Sequence, residues 1–373
     1  MAAALLLLFS CATSQDERKG LIADQLFHDQ DSILSHAKDY SDTIKIKYAK
    51  GLKVDYRKDG IHVTIKNPDP AARSAKPQQI IIKKSSSRFI CTTALQLGNF
   101  EVLGLEDKIV GINSLRHIFS LRMIDQLESG KTAEIGKEGN FDLEAVMAAK
   151  PDYILVSASK YGGFEPLKEC NIPLILHHGY KETSPLGQAE WIKLIGLLTG
   201  ETRRANAVFS DIERKYLTLK QEVERTYSDK KKLPTVISGR QLRDGWYFVG
   251  DRSYMAQIFK DAGADYIMKD NNESGGVTLD FEAVYAKGVK ADFWQTDGSS
   301  KGNYTMQSLA SEDERYTTMN AYKNKRVIFC DLSQTPYREL AGVQPHFLLA
   351  DFVKAFHPEL LPNYTPKYYH ILK

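Results

Sequence analysis

Residues 141–156, FDLEAVMAAKPDYILV, and residues 279–296, LDFEAVYAKGVKADFWQT, decide the fold of this chain because they repeat one pattern. Each stretch has an Asp, one variable residue and Glu-Ala-Val, then an Ala- and Lys-containing helical segment, then an Asp followed by the aromatic and apolar residues of a buried strand. The repetition predicts one helix–strand unit that is used once in each half of the chain. Glu144 and Glu282 fall in the first turn of the two helices, where the helix dipole favours negative charge.

Short apolar runs alternate with helical segments on both sides of the repeated units, which is typical of a parallel sheet with helices on its faces. The predicted strands of the first half are residues 88–91, 108–112, 152–158 and 173–178. Those of the second half are residues 234–238, 247–250, 291–296 and 326–330. The expected fold class is therefore α/β, with two Rossmann-like lobes.

Residues 202–227 separate the two halves and predict one long amphipathic helix. Apolar residues recur at steps of three and four from Ala205 to Tyr227, and neither Gly nor Pro interrupts them. At about 1.5 Å per residue this helix would be a rod of about 39 Å. A rigid rod between two α/β halves predicts a two-lobed protein, and a long surface helix on one large domain is the alternative.

The first eleven residues have the composition of an export signal. Ala2 to Phe9 form an uninterrupted apolar run, which is far too short to cross a bilayer core of about 30 Å. Ser10 and Cys11 end the run and resemble the bacterial lipobox, in which the cysteine is lipidated and becomes the mature terminus. Acyl chains on Cys11 would anchor the protein to a membrane, with the following polar residues as a tether. A buried strand or helix start is the alternative for this run.

Residues 44–68 alternate apolar and polar side chains around Lys58-Asp59-Gly60, which is the signal of a β-hairpin. The hairpin precedes the first lobe and predicts a small amino-terminal β appendage. The sequence therefore divides into a lipoprotein signal segment at 1–11, a tether and β appendage at 12–80, an amino-terminal α/β lobe at 81–201, a linking helix at 202–228 and a carboxy-terminal α/β lobe at 229–373.

The composition excludes several classes of protein. Of the 373 residues, 42% are hydrophobic and 26% are charged, so the chain can form real cores and is neither disordered nor a multi-span membrane protein. The net charge is +3 without a block of like charge, which argues against nucleic acid as a partner. Cys91, Cys170 and Cys330 adjoin apolar residues and are expected as small buried side chains, although one pair could form a disulfide.

Sequence motifs that would indicate an enzyme or a metal protein are either incomplete or absent from the sequence. The stretch SGKT at 129–132 lacks the first glycine of a phosphate-binding loop, and neither G-x-S-x-G nor H-E-x-x-H occurs. His177 and His178 are adjacent, so on a strand they would point to opposite faces and could not share a metal ion. We therefore expect no catalytic residue, no resident cofactor and no metal site.

The chain resembles the bacterial substrate-binding proteins of ABC importers for metal chelates, the group that handles siderophores, haem and cobalamin. Besides the repeated unit, the resemblance lies in GLEDKIVGI at 104–112, PLGQAEWIKLIGLLTGE at 185–201 and GDRSYMAQIFKDAGADYI at 250–267. It covers roughly residues 80–357 and implies two lobes, joined by one rigid helix, that hold a ligand in the cleft between them. It also implies a lipid-anchored monomer on the periplasmic face of a bacterial membrane.

The resemblance further implies a partner and a ligand class. In that family the glutamate of each lobe's repeated motif contacts arginines of the permease, so docking is assigned to Glu144 and Glu282. A two-fold permease dimer presents one basic feature twice, and a two-lobed protein can match it with one carboxylate per lobe. The expected ligand is an iron chelate, either a siderophore or haem. Cobalamin is the alternative within the class, and an α/β enzyme acting on a small molecule is the alternative outside it.

Ligand contacts are expected in the loops that follow the carboxyl ends of the parallel strands, because the clefts of α/β sheets form there. Large anionic chelates bind to aromatic surfaces and cationic donors, and the loops of both lobes offer such side chains. The candidates are Arg116, His117, Tyr161, Arg240, Arg243, Trp246, Tyr337 and Arg338. Trp294 lies within its strand and is expected in the core.

Replacing Cys11 tests the predicted membrane anchor. The change Cys11→Ser removes the thiol that would carry the lipid, so we expect the protein to leave the membrane fraction and to incorporate no radioactive palmitate. Cys170→Ser, which leaves the lipobox intact, is the matched control and should keep both the label and the membrane location. Palmitate label on the Cys11→Ser protein would contradict the assignment.

Overall fold

The computed structural model describes residues 30–69, 76–114, 117–157, 163–228, 233–243, 245–300 and 302–373. The signal segment with Cys11 and two expected ligand contacts, Arg116 and Tyr161, lie outside the described residues. The strands are β1 (Leu52–Arg57), β2 (Gly60–Ile65), β3 (Gln78–Ile82), β4 (Phe89–Cys91), β5 (Ile109–Ile112), β6 (Ala133–Glu134), β7 (Gly136–Lys137), β8 (Asn140–Phe141), β9 (Tyr153–Val156), β10 (Leu174–Leu176), β11 (Thr235–Ser238), β12 (Arg240–Leu242), β13 (Gly245–Val249), β14 (Asp265–Tyr266), β15 (Gly276–Leu279), β16 (Phe293–Gly298), β17 (Val327–Asp331) and β18 (His370–Ile371). The α-helices are α1 (Gln30–Ser35), α2 (Ala94–Glu101), α3 (Leu121–Glu128), α4 (Leu143–Ala148), α5 (Pro185–Ala189), α6 (Ile192–Thr199), α7 (Thr202–Thr226), α8 (Tyr254–Asp261), α9 (Phe281–Gly288), α10 (Met306–Glu312), α11 (Asn320–Lys323) and α12 (Pro345–Phe356).

The amino-terminal lobe is built on five parallel strands in the order β10-β9-β4-β5-β6. Its central strands read as continuous apolar runs because helices cover both faces of the sheet. Successive residues of β4 serve the two faces in turn: Ile90 joins a small core with Val146 of α4, whereas Phe89 and Cys91 join the main core. This alternation confirms the expected doubly covered sheet.

The carboxy-terminal lobe has a second five-stranded sheet in the order β14-β11-β16-β17-β18, in which only β18 is antiparallel. One predicted strand, residues 247–250, is not part of this sheet. It lies in β13, the middle strand of a separate antiparallel sheet β12-β13-β15. The chain turns away from the parallel sheet at Gly239, whose φ is +93° and where a Cβ atom would lie 1.8 Å from the carbonyl oxygen of Tyr247.

The repeated unit forms the same helix–strand pair in both lobes. In the first lobe α4 leads into β9, and in the second lobe α9 leads into β16. Both strands pair in parallel with two neighbours, so each repeat supplies an interior strand of its sheet. The expected fold, two α/β lobes joined by a long helix, is confirmed.

Helix α7 is the linking helix, and both lobes bury it. Arg204 donates a hydrogen bond to the carbonyl oxygen of Leu103 in the first lobe (2.9 Å). Tyr216 donates its hydroxyl to Asp261 in the second lobe (2.7 Å). The helix packs against α6 on one side and against α8 and α12 on the other. Contacts of this kind at both ends fix the two lobes to one rod.

The amino-terminal appendage is a three-stranded antiparallel sheet, β1-β2-β3, so the predicted hairpin gains a third strand. Two buried carboxylates of the first lobe hold the segment that leads into it. Glu190 accepts backbone N–H groups of Lys47, Tyr48 and Ala49 at 2.6–3.0 Å. Glu182 accepts those of residues 50 and 51. The appendage is therefore docked on the lobe through its backbone.

The appendage also reaches the second lobe. Asp69 follows β2 and accepts a hydrogen bond from the hydroxyl of Ser274, next to β15 (3.1 Å). The same carboxylate lies 3.6 Å from the ammonium group of Lys181 in the first lobe. One residue of the appendage thus links the two lobes outside the linking helix.

The three cysteines that the structure describes are free thiols, and Cys91 and Cys330 are buried. Burial raises the pKa of the Cys330 thiol to about 12, so this group stays protonated at neutral pH. The expectation of small buried side chains holds for these two residues, whereas Cys170 is half-buried.

Replacing Glu190 tests how firmly the appendage is docked. Glu190 is fully buried and also pairs with Lys193 (2.7 Å), so Glu190→Ala leaves three N–H groups without their acceptor and a buried ammonium group without its carboxylate. We expect a loss of about 3–5 kcal/mol in unfolding free energy, visible as a lower melting temperature. Glu224→Ala, which removes an exposed carboxylate of α7, should change the stability by less than about 0.5 kcal/mol. Equal melting temperatures for the two variants would contradict the docking role.

Candidate ligand-binding cleft

A cavity of about 240 Å³ lies at the carboxyl ends of β4, β5 and β9 in the amino-terminal lobe. Carboxyl ends of parallel strands meet at one edge of the sheet, so residues that follow different strands line the same space. The lining residues are Thr92, Thr93, Leu95, Asn113, Glu138, Phe141, Ser157, Phe164 and Tyr180. The cavity therefore lies at the edge of the first lobe's sheet where the strands end, and its described lining comes from that lobe.

Gln96 holds the strand ends that form the cavity. Its side-chain oxygen accepts the backbone N–H groups of Thr92 (2.7 Å) and Thr93 (3.2 Å), and its amide nitrogen donates to the hydroxyl of Ser157 (3.1 Å). Thr93 in turn caps α2 by accepting the N–H of Gln96. Because Gln96 is fully buried, the end of β4 and the end of β9 are fixed relative to each other before any ligand binds.

Asn113 lines the cavity and has one side-chain acceptor without a partner among the described residues. It follows β5 directly, and its amide nitrogen donates to the carbonyl oxygen of Thr92 (2.7 Å). Its side-chain oxygen is buried and has no hydrogen-bond partner among the described residues. A buried acceptor without a donor costs about 1–3 kcal/mol, and a ligand donor would recover that energy.

The walls of the cavity are aromatic and weakly acidic. Phe141, Phe164 and Tyr180 supply ring surfaces, and Glu138 supplies a carboxylate. Burial, reinforced by the nearby carboxylates of Glu138 and Asp69, raises the pKa of Tyr180, so its phenol stays a neutral donor. No Lys or Arg of the described residues lines this cavity. The first lobe thus offers ring faces, acceptors and neutral donors.

The arginines that the sequence predicts as ligand contacts and that the structure describes lie in the second lobe. The guanidinium of Arg240 donates to the carbonyl oxygen of Asp297 (2.9 Å) and pairs with Glu312 (3.1 Å). Burial raises the pKa of Asp297, although Arg240 and Arg338 favour its charged form. Arg338 and Arg243 have exposed side chains. Two exposed cations are therefore available, whereas Arg240 is already paired.

The structure corrects one expected ligand contact, Trp246. Its ring is fully buried against Trp294 and Tyr316, with centroids 5.5 Å and 5.7 Å away, and its indole N–H donates to the carbonyl oxygen of Ser238. Alternation along β13 turns Trp246 into the lobe and Tyr247 outward. Trp246 is a core residue, and Trp294 lies in the core as expected.

Tyr337 and Arg338 lie on a turn of π-helix at Tyr337–Ala341, a form that is frequent at functional sites. The hydroxyl of Tyr337 shares a hydrogen bond with that of Tyr254 (2.9 Å), and burial raises the pKa of Tyr337 well above its ordinary value. The phenol therefore points into its own lobe. His117 is exposed on the loop that leaves β5, a few residues beyond Asn113.

None of the predicted contacts is among the nine described lining residues. Thr92 and Asn113 stand directly after predicted strands and Ser157 directly after the observed strand β9, so the rule about carboxyl ends leads to them when polar residues are considered besides cations and aromatics. Glu138 and Phe141 belong to the hairpin β7-β8, which the sequence pattern does not predict. Their place in the cavity depends on how that hairpin folds over the sheet edge.

The two histidines at the end of β10 differ from expectation in one respect. The strand ends at Leu176, so the alternation that would separate the rings of His177 and His178 does not apply, and both rings contact Trp191. Burial lowers the pKa of His177 to about 3, and the ring is neutral. The part of the chain that the structure describes contains no group of three or more His, Cys, Asp or Glu placed to hold a metal ion.

The two carboxylates of the repeated unit occupy equivalent positions with different surroundings. Glu144 is exposed in the first turn of α4 and has no ion-pair partner among the described residues. Glu282 is exposed in the first turn of α9 but lies 3.3 Å from Arg315. Asp313 pairs with the same guanidinium group, which also stacks 3.6 Å above the ring of Phe281. The second lobe therefore partly neutralises its own carboxylate.

In the described ranges, no helix is both long enough and apolar enough to cross a membrane. Among curated proteins, an uncharacterized lipoprotein of Methanocaldococcus jannaschii is 26% identical over 240 residues, which cover 62% of this chain and 54% of that protein. The chain thus spans about half the length of that relative.

Solved structures share the fold. A periplasmic heme binding protein from Pseudomonas aeruginosa has a TM-score of 0.60 at 19% identity and covers 77% of this chain and 98% of its own. An ABC-type Fe3+-hydroxamate transport system from Saccharomonospora viridis has a TM-score of 0.59 at 14% identity, with coverage of 75% and 96%. Residues 90–333 match the family model described as periplasmic binding protein. That match spans well over half of the chain, so the chain belongs to the periplasmic binding protein family.

Proposed function

We propose that this protein is the periplasmic solute-binding component of an ABC importer, which captures an iron chelate, a siderophore or haem, between its lobes and delivers it to a membrane permease. The observation that carries the proposal is the preformed cavity at the carboxyl ends of β4, β5 and β9, with its aromatic walls and the unpartnered Asn113 acceptor. Relatives in fold that are described as binding heme and as transporting Fe3+-hydroxamate support the ligand class.

The size and lining of the cavity indicate how a chelate would sit. A volume of about 240 Å³ is below the roughly 300–1,000 Å³ of a drug-sized pocket, so the cavity would take one face or arm of the ligand. Phe141, Phe164 and Tyr180 would pack against that part. The remainder would extend toward the second lobe, where Arg338 and Arg243 could pair with anionic groups of the chelate. His117, Arg116 and Tyr161 remain proposed contacts, and a cobalamin remains the alternative ligand.

Delivery would use the two carboxylates of the repeated unit. Glu144 and Glu282 would each meet a cationic side chain of one permease subunit, as expected for a monomer docking on a two-fold dimer. The lipid on Cys11 would keep the loaded protein near the membrane. We propose binding without chemical turnover, because the cleft only has to hold and release its ligand.

The ligand can be identified by its colour and by titration. We expect the Cys11→Ser protein, purified from its native host, to carry a visible absorption band, and its tryptophan fluorescence to respond to haem or to a ferric hydroxamate siderophore. Phe141→Ala and Phe164→Ala should each weaken that binding about three- to tenfold because a ring face is lost. Tyr40→Ala, an exposed aromatic residue outside the cleft, should not change it. Steady conversion of the probe to a product would favour the enzyme alternative instead.

Reversing the two docking carboxylates tests delivery. We expect Glu144→Arg combined with Glu282→Arg to abolish uptake, because like charges would face each other across the contact, while ligand affinity stays unchanged. Glu128→Arg combined with Glu224→Arg makes the same change in net charge at exposed sites elsewhere and should leave uptake intact. Uptake of radiolabelled ferric chelate by whole cells is the measurement, and unchanged uptake in the first double variant would count against the docking assignment.

A further inference from the structure

The two lobes touch directly beside the cleft. Helix α2 of the first lobe packs against the π-helix turn Tyr337–Ala341 of the second lobe. Gly98 makes this possible, because a Cβ atom at that position would lie 1.9 Å from the carbonyl oxygen of Glu339. No side chain separates the two backbones at this point, so the position of Glu339 relative to α2 is tightly constrained.

The side chain of Glu339 crosses from the second lobe to a loop of the first. Only 1% of this residue is exposed, and its Oε1 atom accepts the backbone N–H of Phe119 (3.0 Å). The backbone of Ser120 also hydrogen-bonds to the carboxyl group, while Oε2 is buried with no partner among the described residues. Ser120 is the residue that caps α3. The carboxyl group therefore holds the point at which this loop ends and α3 begins.

That loop belongs to the cleft. It leaves β5 through Asn113, which lines the ligand cavity, and it carries His117 on its exposed side. Backbone donors held from the opposite lobe fix the loop only while the two lobes are in contact. Residues 117–120 would consequently move if that contact loosened.

We propose that Glu339 is a positioning residue of the cleft, which clamps residues 117–120 of the opposite lobe and releases them when its carboxyl group loses a proton. The clamp itself rests on contacts within this chain, and its importance for ligand retention rests on the proposed function.

The charged groups around Glu339 give the direction of the pH effect. Burial raises the pKa of Glu339 to about 7, against the lowering effect of the N–H groups of Phe119 and Ser120. From α2, Glu101 faces it with a pKa of about 7, raised by burial and then by Glu339 and Glu106. From the carboxy-terminal segment, burial lowers the pKa of Lys367 to about 8 and raises that of Tyr368.

These pKa values determine whether the lobe contact strengthens or weakens as the pH rises. A carboxyl group whose pKa is raised in the contact favours the contact in its protonated form. Loosening exposes Glu339 to water and returns its pKa toward the ordinary value of 4.5. The contact between the lobes is therefore strongest below pH 4.5 and weakens as the pH rises from there through about 7.

Hydrogen exchange in the whole soluble protein tests the clamp. After correction for the intrinsic exchange rate, we expect the amides of residues 117–121 to exchange about tenfold faster at pH 8 than at pH 6, whereas those of α7 stay unchanged. In Glu339→Gln the amide oxygen can still accept the N–H of Phe119 but does not titrate, so exchange of the same segment should vary much less than tenfold over this range, with Glu101 as the remaining titrating carboxyl group of the contact. Glu339→Ala should exchange fast at both pH values.

Glu101→Gln is the matched control, because it removes the other carboxyl group with a raised pKa from the same lobe contact without touching the loop. It should keep a pH-dependent exchange of residues 117–121. The proposal is overturned if Glu339→Gln shows the wild-type pH dependence, or if Glu339→Ala leaves the loop as protected as in the wild type. If Glu339 had a purely structural role, its replacement would change hydrogen exchange throughout the lobe contact, and the pH dependence of that exchange would stay as in the wild type.

A second readout separates this proposal from the proposed function. Dissociation of ferric haem, or of a ferric hydroxamate siderophore, should quicken from pH 6 to pH 8 in the wild type and much less in Glu339→Gln. If neither probe binds the wild-type protein, the proposed ligand class fails, whereas the exchange results still decide the role of Glu339.

Discussion

The burial of helix α7 between the two lobes is the constraint on which the remaining geometry depends. Its Asp211–Lys215 ion pair is almost completely withdrawn from water, and hydrogen bonds from Arg204 and Tyr216 fasten it to one lobe and then to the other. Removing either lobe from the helix would expose an apolar face and leave buried charges without partners, and both changes cost free energy. The width of the cleft is therefore set by packing, and the lobes have little freedom to meet a ligand by large rotation.

A cleft of fixed width needs its binding groups in place beforehand, and the structure meets this need with buried polar side chains. Gln96 joins two strand ends, Asn113 keeps one acceptor unoccupied, and Glu339 reaches across to the loop of the opposite lobe. The two carboxylates proposed for docking are not equivalent, since Glu144 has no ion-pair partner among the described residues while Glu282 pairs with Arg315. The two halves of a symmetric partner would thus meet carboxylates of unequal strength.

The sequence predicts the fold well because periodicity and internal repetition report on local structure. The alternation of apolar runs places seven of the ten strands of the two five-stranded sheets within two residues of where they lie, and it misses the short strands β6, β14 and β18. The periodicity at 202–227 predicts the linking helix within two residues of its bounds. The strand at 247–250 was assigned to the wrong sheet, because a left-handed turn at Gly239 redirects the chain. The site was harder to predict. Trp246 follows a strand of the second lobe and was therefore predicted as a ligand contact, but it is buried in the core. The role of Glu339 depends on the absence of a Cβ atom at Gly98, which is far away in the sequence.

The appendage shows that a family's boundary need not coincide with that of a folding unit. The match to the family begins at residue 90, yet the buried carboxylates of Glu182 and Glu190 complete their hydrogen bonds only with backbone that precedes it. A recombinant fragment cut at the family boundary would leave both carboxylates facing solvent or each other, with the ring of Trp191 uncovered. The unit suited to expression and crystallisation is accordingly the chain that includes the β1-β2-β3 sheet.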